Sequence, residues 1–272
     1  MTEAKEIKNQ DPNFIEPEKF AGAFRYSNNP SIELMTNVAF FLWSGREKTV
    51  NKSYIMSTPF FLQRLTNMES AIKQDDPWAD RTYYQLQLAI DEAETAFMAK
   101  KSELEEIIND GHKRLTFPEA VIKKTINLEI KKHSRLGWRA LEILLLADDT
   151  ARLVLEAQHR GRIGKREKNL LIKAIESIYR SMMSHVTKWK YCGVTRDDVA
   201  ANLKPAQTAK QTMGEIEEEF LEASLRSKFA PELPKRRLAV VESEDEGISE
   251  AEVADMVSKM TGGSKPVDVR AD

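Results

Sequence analysis

Residues 123–132, KKTINLEIKK, are the stretch that decides the fold of this chain. Three apolar residues in it alternate one for one with four polar residues, namely Ile126, Leu128 and Ile130 with Thr125, Asn127, Glu129 and Lys131. A period of two is typical of a strand with one dry and one solvated face. Because an isolated strand leaves its backbone N–H and C=O groups unpaired, it must pair with another strand of the chain or with its own copy in a second subunit.

The residues after this stretch predict two helices separated by a glycine turn. Ser134 is suited to cap a first helix over residues 137–159, whose high apolar content predicts that it is buried. The turn Arg160-Gly-Arg-Ile-Gly164 precedes a second helix, in which apolar residues recur at steps of three and four. Strand, helix, turn and helix follow the order of a ribbon-helix-helix module, which we place at about residues 122–189.

A ribbon of two antiparallel strands fits the major groove of DNA, where its outward polar side chains reach base edges. This geometry predicts a homodimer in which each subunit supplies one strand, with a higher oligomer as the alternative. The predicted base-reading residues are Thr125, Asn127, Glu129 and Lys131. Basic residues beside the strand and at the start of the second helix are predicted to contact phosphates: Lys123, Lys124, Lys132, Arg135, Lys165 and Arg166.

Charge is segregated along the chain, although the net charge is only −2. Residues 111–196 contain 19 Lys and Arg against 8 Asp and Glu, a surplus of 11 positive charges. The rest of the chain contains 22 basic residues against 35 acidic ones. A basic middle between acidic flanks favours double-stranded DNA as the partner, and the alternative is an ordinary solvated helical surface.

The chain divides into three parts by composition. Residues 1–30 are polar and predict a loosely ordered arm, while residues 234–272 predict a flexible acidic tail. Between them, residues 31–233 predict a mainly α domain, a helical body with the ribbon-helix-helix module embedded in it and one or two short strands. Ile32–Met35 is a rival candidate for the ribbon strand, but its outward face is poor in hydrogen-bond donors.

The longest predicted helix covers residues 80–109. Its apolar residues form a seam with coiled-coil spacing, at Tyr83, Leu86, Ile90, Ala93, Phe97, Leu104 and Ile107. Such a seam requires a partner helix, in the same chain or in a second subunit.

Composition is typical of a cytoplasmic protein. The single cysteine, Cys192, excludes an internal disulfide framework, and no apolar run approaches the length of a membrane span. The N-terminus lacks the apolar core of a signal peptide. We therefore expect cytoplasmic localisation and no contact with a membrane.

Three motifs carry a resemblance to a known family: Asp75-Asp-Pro-Trp-Ala-Asp80, Gly193-Val-Thr-Arg-Asp-Asp-Val-Ala-Ala-Asn202 and Arg226-Ser-Lys-Phe-Ala-Pro231. With them the chain resembles, over roughly residues 31–233, the AcaB family of regulators encoded by conjugative plasmids and integrating conjugative elements. The resemblance implies a ribbon-helix-helix, DNA-binding activator that switches on conjugative transfer genes. The motifs combine caps, turns and packing residues, so they identify the family without locating its DNA contacts.

We predict no enzyme activity, cofactor or metal site. Asp148-Asp149 is compatible with an all-helical prenyl-diphosphate enzyme, but Arg152 stands where the metal motif needs a further carboxylate. The four histidines lack metal-ligand spacing, and no phosphate-binding loop, dinucleotide fingerprint or nucleophile elbow occurs. Two functions follow: a DNA-binding activator of transfer genes, or a helical scaffold of the conjugation apparatus whose basic surface meets an acidic protein.

Overall fold

Two short strands and eight α-helices make up the part of the chain that this computed structural model describes, residues 28–110, 114–118, 124–132 and 134–234. The elements are β1 (Ser31–Leu34), α1 (Asn37–Ser44), α2 (Thr58–Ile72), α3 (Pro77–Asn109), β2 (Ile126–Glu129), α4 (Arg135–His159), α5 (Lys165–Ser184), α6 (Arg196–Ala200), α7 (Lys204–Met213) and α8 (Glu218–Leu221). A 3-10 turn, His185–Lys188, follows α5. The mainly helical class is confirmed. Lys123 and nearly all of the predicted arm and tail lie outside the described residues.

The two strands form one antiparallel ribbon within the chain. β2 lies inside the stretch with period two, and its partner β1 overlaps the rival strand Ile32–Met35 but begins and ends one residue earlier. Ile32 pairs with Leu128 and Glu33 with Asn127. The backbone of β2 therefore finds its partners in the same chain. The prediction that each subunit supplies one strand of the ribbon is corrected here, because β1 already pairs with β2 and strand pairing alone does not require a second subunit.

The helices α3 and α4 follow the prediction with two differences. The α3 seam is buried within the chain, although near its end Ile108 is buried and Ile107 is only half-buried, because an α-helix drifts from an exact heptad. Ser134 caps α4 as predicted, with its Oγ accepting a hydrogen bond from the Gly137 N–H at 2.9 Å. However, α4 is not buried all round, since two of its leucines, Leu145 and Leu155, are 41% and 42% exposed.

The chain forms two compact units. The first contains Met1–Leu62, Ala96–His133 and Leu141–Tyr179, and the second contains Gln63–Thr95, Ser134–Ala140 and Arg180–Asp272. Each has its own apolar core, with Leu34, Leu42 and Phe97 buried in the first and Met68, Trp78 and Tyr83 in the second. The ribbon and most of α5 belong to the first unit, and the three family motifs belong to the second.

Candidate nucleic-acid interface

The outward face of the ribbon carries two carboxylates. Along β1 and β2, apolar residues on the inner side alternate with exposed polar residues on the outer side, at Ser31, Glu33, Asn127 and Glu129. The alternation predicted for β2 is confirmed, but Glu33 comes from the partner strand and lies directly opposite Asn127. Glu129 accepts a hydrogen bond from the side-chain amide of Asn29. Two carboxylates on one small face oppose the approach of phosphates.

The remaining predicted residues of this stretch flank the ribbon. Thr125 is half-buried just before β2, and Lys124 is exposed. Lys131 and Lys132 are exposed beyond the other end of β2. There they line an open groove of about 280 Å³ together with Trp43, Pro59, Leu62, Leu128, Glu129 and Ile130. The basic residues are thus placed at the ends of the ribbon, while its centre is acidic.

A buried carboxylate of α4 holds the end of β1. Asp148 is fully buried, and its two oxygens accept hydrogen bonds from the backbone N–H groups of Met35 at 2.6 Å and Thr36 at 2.9 Å. Thr36 in turn caps α1, since its Oγ1 accepts from the Ala39 N–H. Asp148 therefore has a structural role that the sequence did not indicate.

Among the described residues, no group of three or more His, Cys, Asp or Glu side chains is placed to hold a metal ion.

The turn between α4 and α5 is a Schellman motif. Gly161 has φ +70°, its N–H donates to Gln158 O, and the Arg162 N–H donates to Ala157 O. Arg160 is neutralised inside the turn, because it pairs with Glu156 and its guanidinium lies over the Phe117 ring at 4.7 Å. Although Arg160 lies just before the basic start of α5, its guanidinium is therefore not available to bind a phosphate.

The start of α5 carries basic residues where a helix disfavours them. Lys165 and Arg166 are exposed in its first turn, and neither forms an ion pair within the described ranges. The N-terminus of a helix carries partial positive charge, so cations there cost stability unless an anion approaches. Both predicted phosphate contacts on α5 are thus accessible, and the field of the helix adds to their own charge.

The predicted phosphate contacts are divided between the two units. Lys124, Lys132, Lys165 and Arg166 belong to the first unit, whereas Arg135 belongs to the second. Arg135 lines a groove of about 630 Å³ that also contains the basic Lys73 and the acidic Glu69 and Glu232. Its surroundings are of mixed charge, which makes it the weakest of the predicted phosphate contacts that the structure describes.

In the second unit, the first family motif joins two helices through consecutive aspartates. Asp75 lies in the turn after α2 and has φ +68°, and Asp76 caps α3, because its Oδ1 accepts from the N–H groups of Trp78 and Ala79. The other oxygen of Asp76 accepts from Trp189 Nε1 at 3.1 Å. Burial raises the pKa of Asp76 above its ordinary value, although these hydrogen bonds and the charge of Arg196 act in the opposite direction.

The three family motifs meet at a buried guanidinium. Arg196, from the second motif, has a side chain that is 0% exposed and binds Asp75 Oδ1 and Asp80 Oδ2, both at 2.6 Å. Its Nε also donates to Phe220 O. Arg226, from the third motif, donates to the same Asp80 oxygen at 2.7 Å. The motifs therefore build one ion network in the interior of the second unit, which is a structural site and not a surface for DNA.

The described helices include none with the length and apolarity needed to cross a membrane.

Comparison with known proteins agrees with the resemblance carried by those motifs. No curated protein and no solved structure matches the chain. A family profile described as transcriptional regulator AcaB matches residues 21–234, which is most of the sequence. The chain therefore belongs to the AcaB family of transcriptional regulators.

Proposed function

We propose that this protein is a DNA-binding transcriptional activator of conjugative transfer genes, acting in the cytoplasm. Membership of a family of transcriptional regulators supports the regulatory part of this proposal. The surplus of positive charge in residues 111–196 supports double-stranded DNA as the partner. The conjugative target genes rest on what the family resemblance implies.

The observation that carries the proposal is the basic start of α5. Lys165 and Arg166 are exposed, without ion-pair partners in the described part of the chain, and lie at the positive end of a helix of 20 residues. Glu167 in the same turn offsets part of this positive charge. Two cations at this end of the helix remain unfavourable without an anionic partner, because their charges and the helix dipole have the same sign. A DNA phosphate at this position is stabilised by both.

The finer predictions for the ribbon are not favoured by its geometry. Base reading by Thr125, Asn127, Glu129 and Lys131 stays a prediction, but the opposing Glu33 makes the face less suitable than β2 alone indicated. A homodimer stays part of the proposal on one ground, that two-fold operators are matched by two-fold proteins. The dimeric ribbon of a ribbon-helix-helix module would require β2 to exchange β1 for the partner's strand.

A salt titration tests DNA binding directly. The affinity of the full-length protein for a fluorescent duplex of arbitrary sequence should fall steeply with salt, and Lys165→Ala should reduce the log–log slope by about 0.9 for the lost phosphate contact. Lys204→Ala is the matched control, since Lys204 is an exposed lysine at the start of α7 in the second unit. Absence of duplex binding at about 50 mM salt would instead favour the helical scaffold of the conjugation apparatus.

A further inference from the structure

One face of α5 is exposed along the whole helix. Its exposed residues recur at steps of three and four and form a stripe: Arg166, Leu170, Lys173, Ser177, Ser181 and Ser184. Asn169 is exposed beside the first part of this stripe. Leu170 is 59% exposed, although an apolar side chain gains nothing from water. The stripe therefore combines two cations and three serines with one accessible apolar side chain.

The rotation of α5 is fixed by its opposite face. Ile175 and Tyr179 are buried, and the Tyr179 hydroxyl lies 3.1 Å from the hydroxyl of Thr58 in the interior of the first unit. Thr58 also donates to the backbone carbonyl of Leu42. Because these contacts are buried, the outward direction of Arg166, Leu170 and Lys173 follows from them.

The charge of the stripe differs from that of the ribbon. The exposed Glu167 lies one helical turn before Leu170, at the edge of the stripe. It is outnumbered there by three exposed cations, Lys165, Arg166 and Lys173, so the exposed side of α5 carries a net positive charge. The ribbon face, by contrast, contains Glu33 and Glu129 among its four exposed residues. A polyanion therefore meets favourable charge on α5 and unfavourable charge on the ribbon.

We infer that the exposed face of α5, and in particular Arg166, Asn169, Leu170 and Lys173, reads bases in the major groove of double-stranded DNA. This inference rests on the proposed function and assigns the base reading to a different element from the ribbon. It leaves the phosphate contact to Lys165 and reassigns Arg166 from a phosphate to a base. The major groove admits a single α-helix. α5 also follows α4 across a glycine turn, which is the chain order of a helix-turn-helix whose second helix enters the groove.

Each side chain on this face matches a group that base pairs present. An arginine such as Arg166 donates two hydrogen bonds to guanine O6 and N7, and an asparagine such as Asn169 pairs with adenine N6 and N7. An exposed apolar side chain such as Leu170 is suited to contact the methyl group of thymine. Lys173, one turn further, is suited to a phosphate or a guanine.

Binding-site selection tests this assignment without knowledge of the operator. The full-length protein and its variants would be incubated with a library of randomised duplexes, and the bound fraction sequenced after several rounds. Wild type should enrich a motif, and Asn169→Ala should lose the preference for adenine at one position, with about 10-fold less discrimination there. Arg166→Ala should lose a guanine preference in the same motif. The matched control Asn67→Ala, an exposed asparagine on α2, should enrich the wild-type motif.

The outcomes separate the inference from the proposed function. Loss of base preference in Asn127→Ala but not in Asn169→Ala would show that the ribbon reads bases and would overturn the inference alone. Duplex binding without any enriched motif would do the same. If Leu170→Ala changes the sedimentation of the protein but not its motif, the stripe is a subunit interface. Absence of all duplex binding would overturn both the inference and the proposed function, and thermal melting of each variant would exclude misfolding as the cause.

Discussion

The two arginines Arg196 and Arg166 show how differently the two units use positive charge. Arg196 is fully buried in the second unit, with two carboxylates and a backbone carbonyl as acceptors. Arg166 is exposed in the first unit and has no ion-pair partner within the described residues. A buried charge must be paired to be tolerated, whereas an exposed and unpaired one is available to a ligand.

The comparison separates what identifies the family from what performs its function. The motifs around Asp75, Arg196 and Arg226 build an interior network, and they are recognisable because few other side chains satisfy it. The face around Arg166 has no such signature, since many combinations of basic and polar residues contact DNA. Recognition of the family therefore does not locate its DNA-binding surface.

The largest expected effect comes from breaking the buried network. Arg196→Ala should lower the free energy of unfolding by about 3–5 kcal/mol, because it leaves Asp75 and Asp80 buried without their shared partner. Urea unfolding measures this loss. Arg166→Ala is the matched control and should stay within about 0.5 kcal/mol of wild type. If the two variants are equally stable, the ion network around Arg196 contributes no more to the free energy of unfolding than an exposed arginine does.

A variant with a smaller expected effect tests whether the burial of a charged side chain, rather than its location in the first or the second unit, determines how much it contributes to stability. Asp148 is a buried charge in the first unit, and Asp148→Ala leaves the N–H groups of Met35 and Thr36 without an acceptor. We expect a loss of about 2–3 kcal/mol in the free energy of unfolding. Hydrogen exchange should also quicken at these two amides.

The neighbouring Asp149 supplies the control for this variant. Asp149 is half-buried on the same helix, so Asp149→Ala removes an equal charge and should cost much less. Asp148→Asn keeps one acceptor oxygen and should fall between the two. If Asp148→Ala and Asp149→Ala are equally stable, the carboxylate of Asp148 does not hold the end of β1.

The sequence predicted the ribbon strand well and its partner poorly, for a physical reason. Alternation of Ile126, Asn127, Leu128 and Glu129 reports which side chains face the core, and the structure confirms it. Pairing is made by backbone groups, which are the same in every residue, so the pattern does not distinguish a second subunit from β1. The contact that places β1 is made by Asp148, which is 112 residues away from Thr36 in sequence.

The three family motifs were correctly interpreted as caps and turns, and the capping box of Thr195 and Asp198 is one example. Other features were missed because their signals in the sequence are weak or because the contacting residues lie far apart along the chain. The meeting of the three motifs at Arg196 was not predicted, because Asp75 and Arg196 are separated by 121 residues. The helix α7 was not predicted either, since only Ala206 and Ala209 are buried in it and its apolar period is faint.

The smallest expected effect on stability is that of Lys165→Glu, which should change stability and DNA binding in opposite directions. Lys165→Glu exchanges a charge that the first turn of α5 disfavours for one that it favours, so the free energy of unfolding should rise by about 0.5–1 kcal/mol at low salt. The same substitution should weaken duplex binding, because it replaces a phosphate contact with a repulsive charge. Lys173→Glu, two turns further along the exposed stripe, should weaken binding without the gain in stability. Thermal melting and duplex titration on both variants would measure the two effects, and the gain in stability should shrink as salt screens it. A Lys165→Glu protein that binds duplex as tightly as wild type would remove the start of α5 from the interface, whatever its stability.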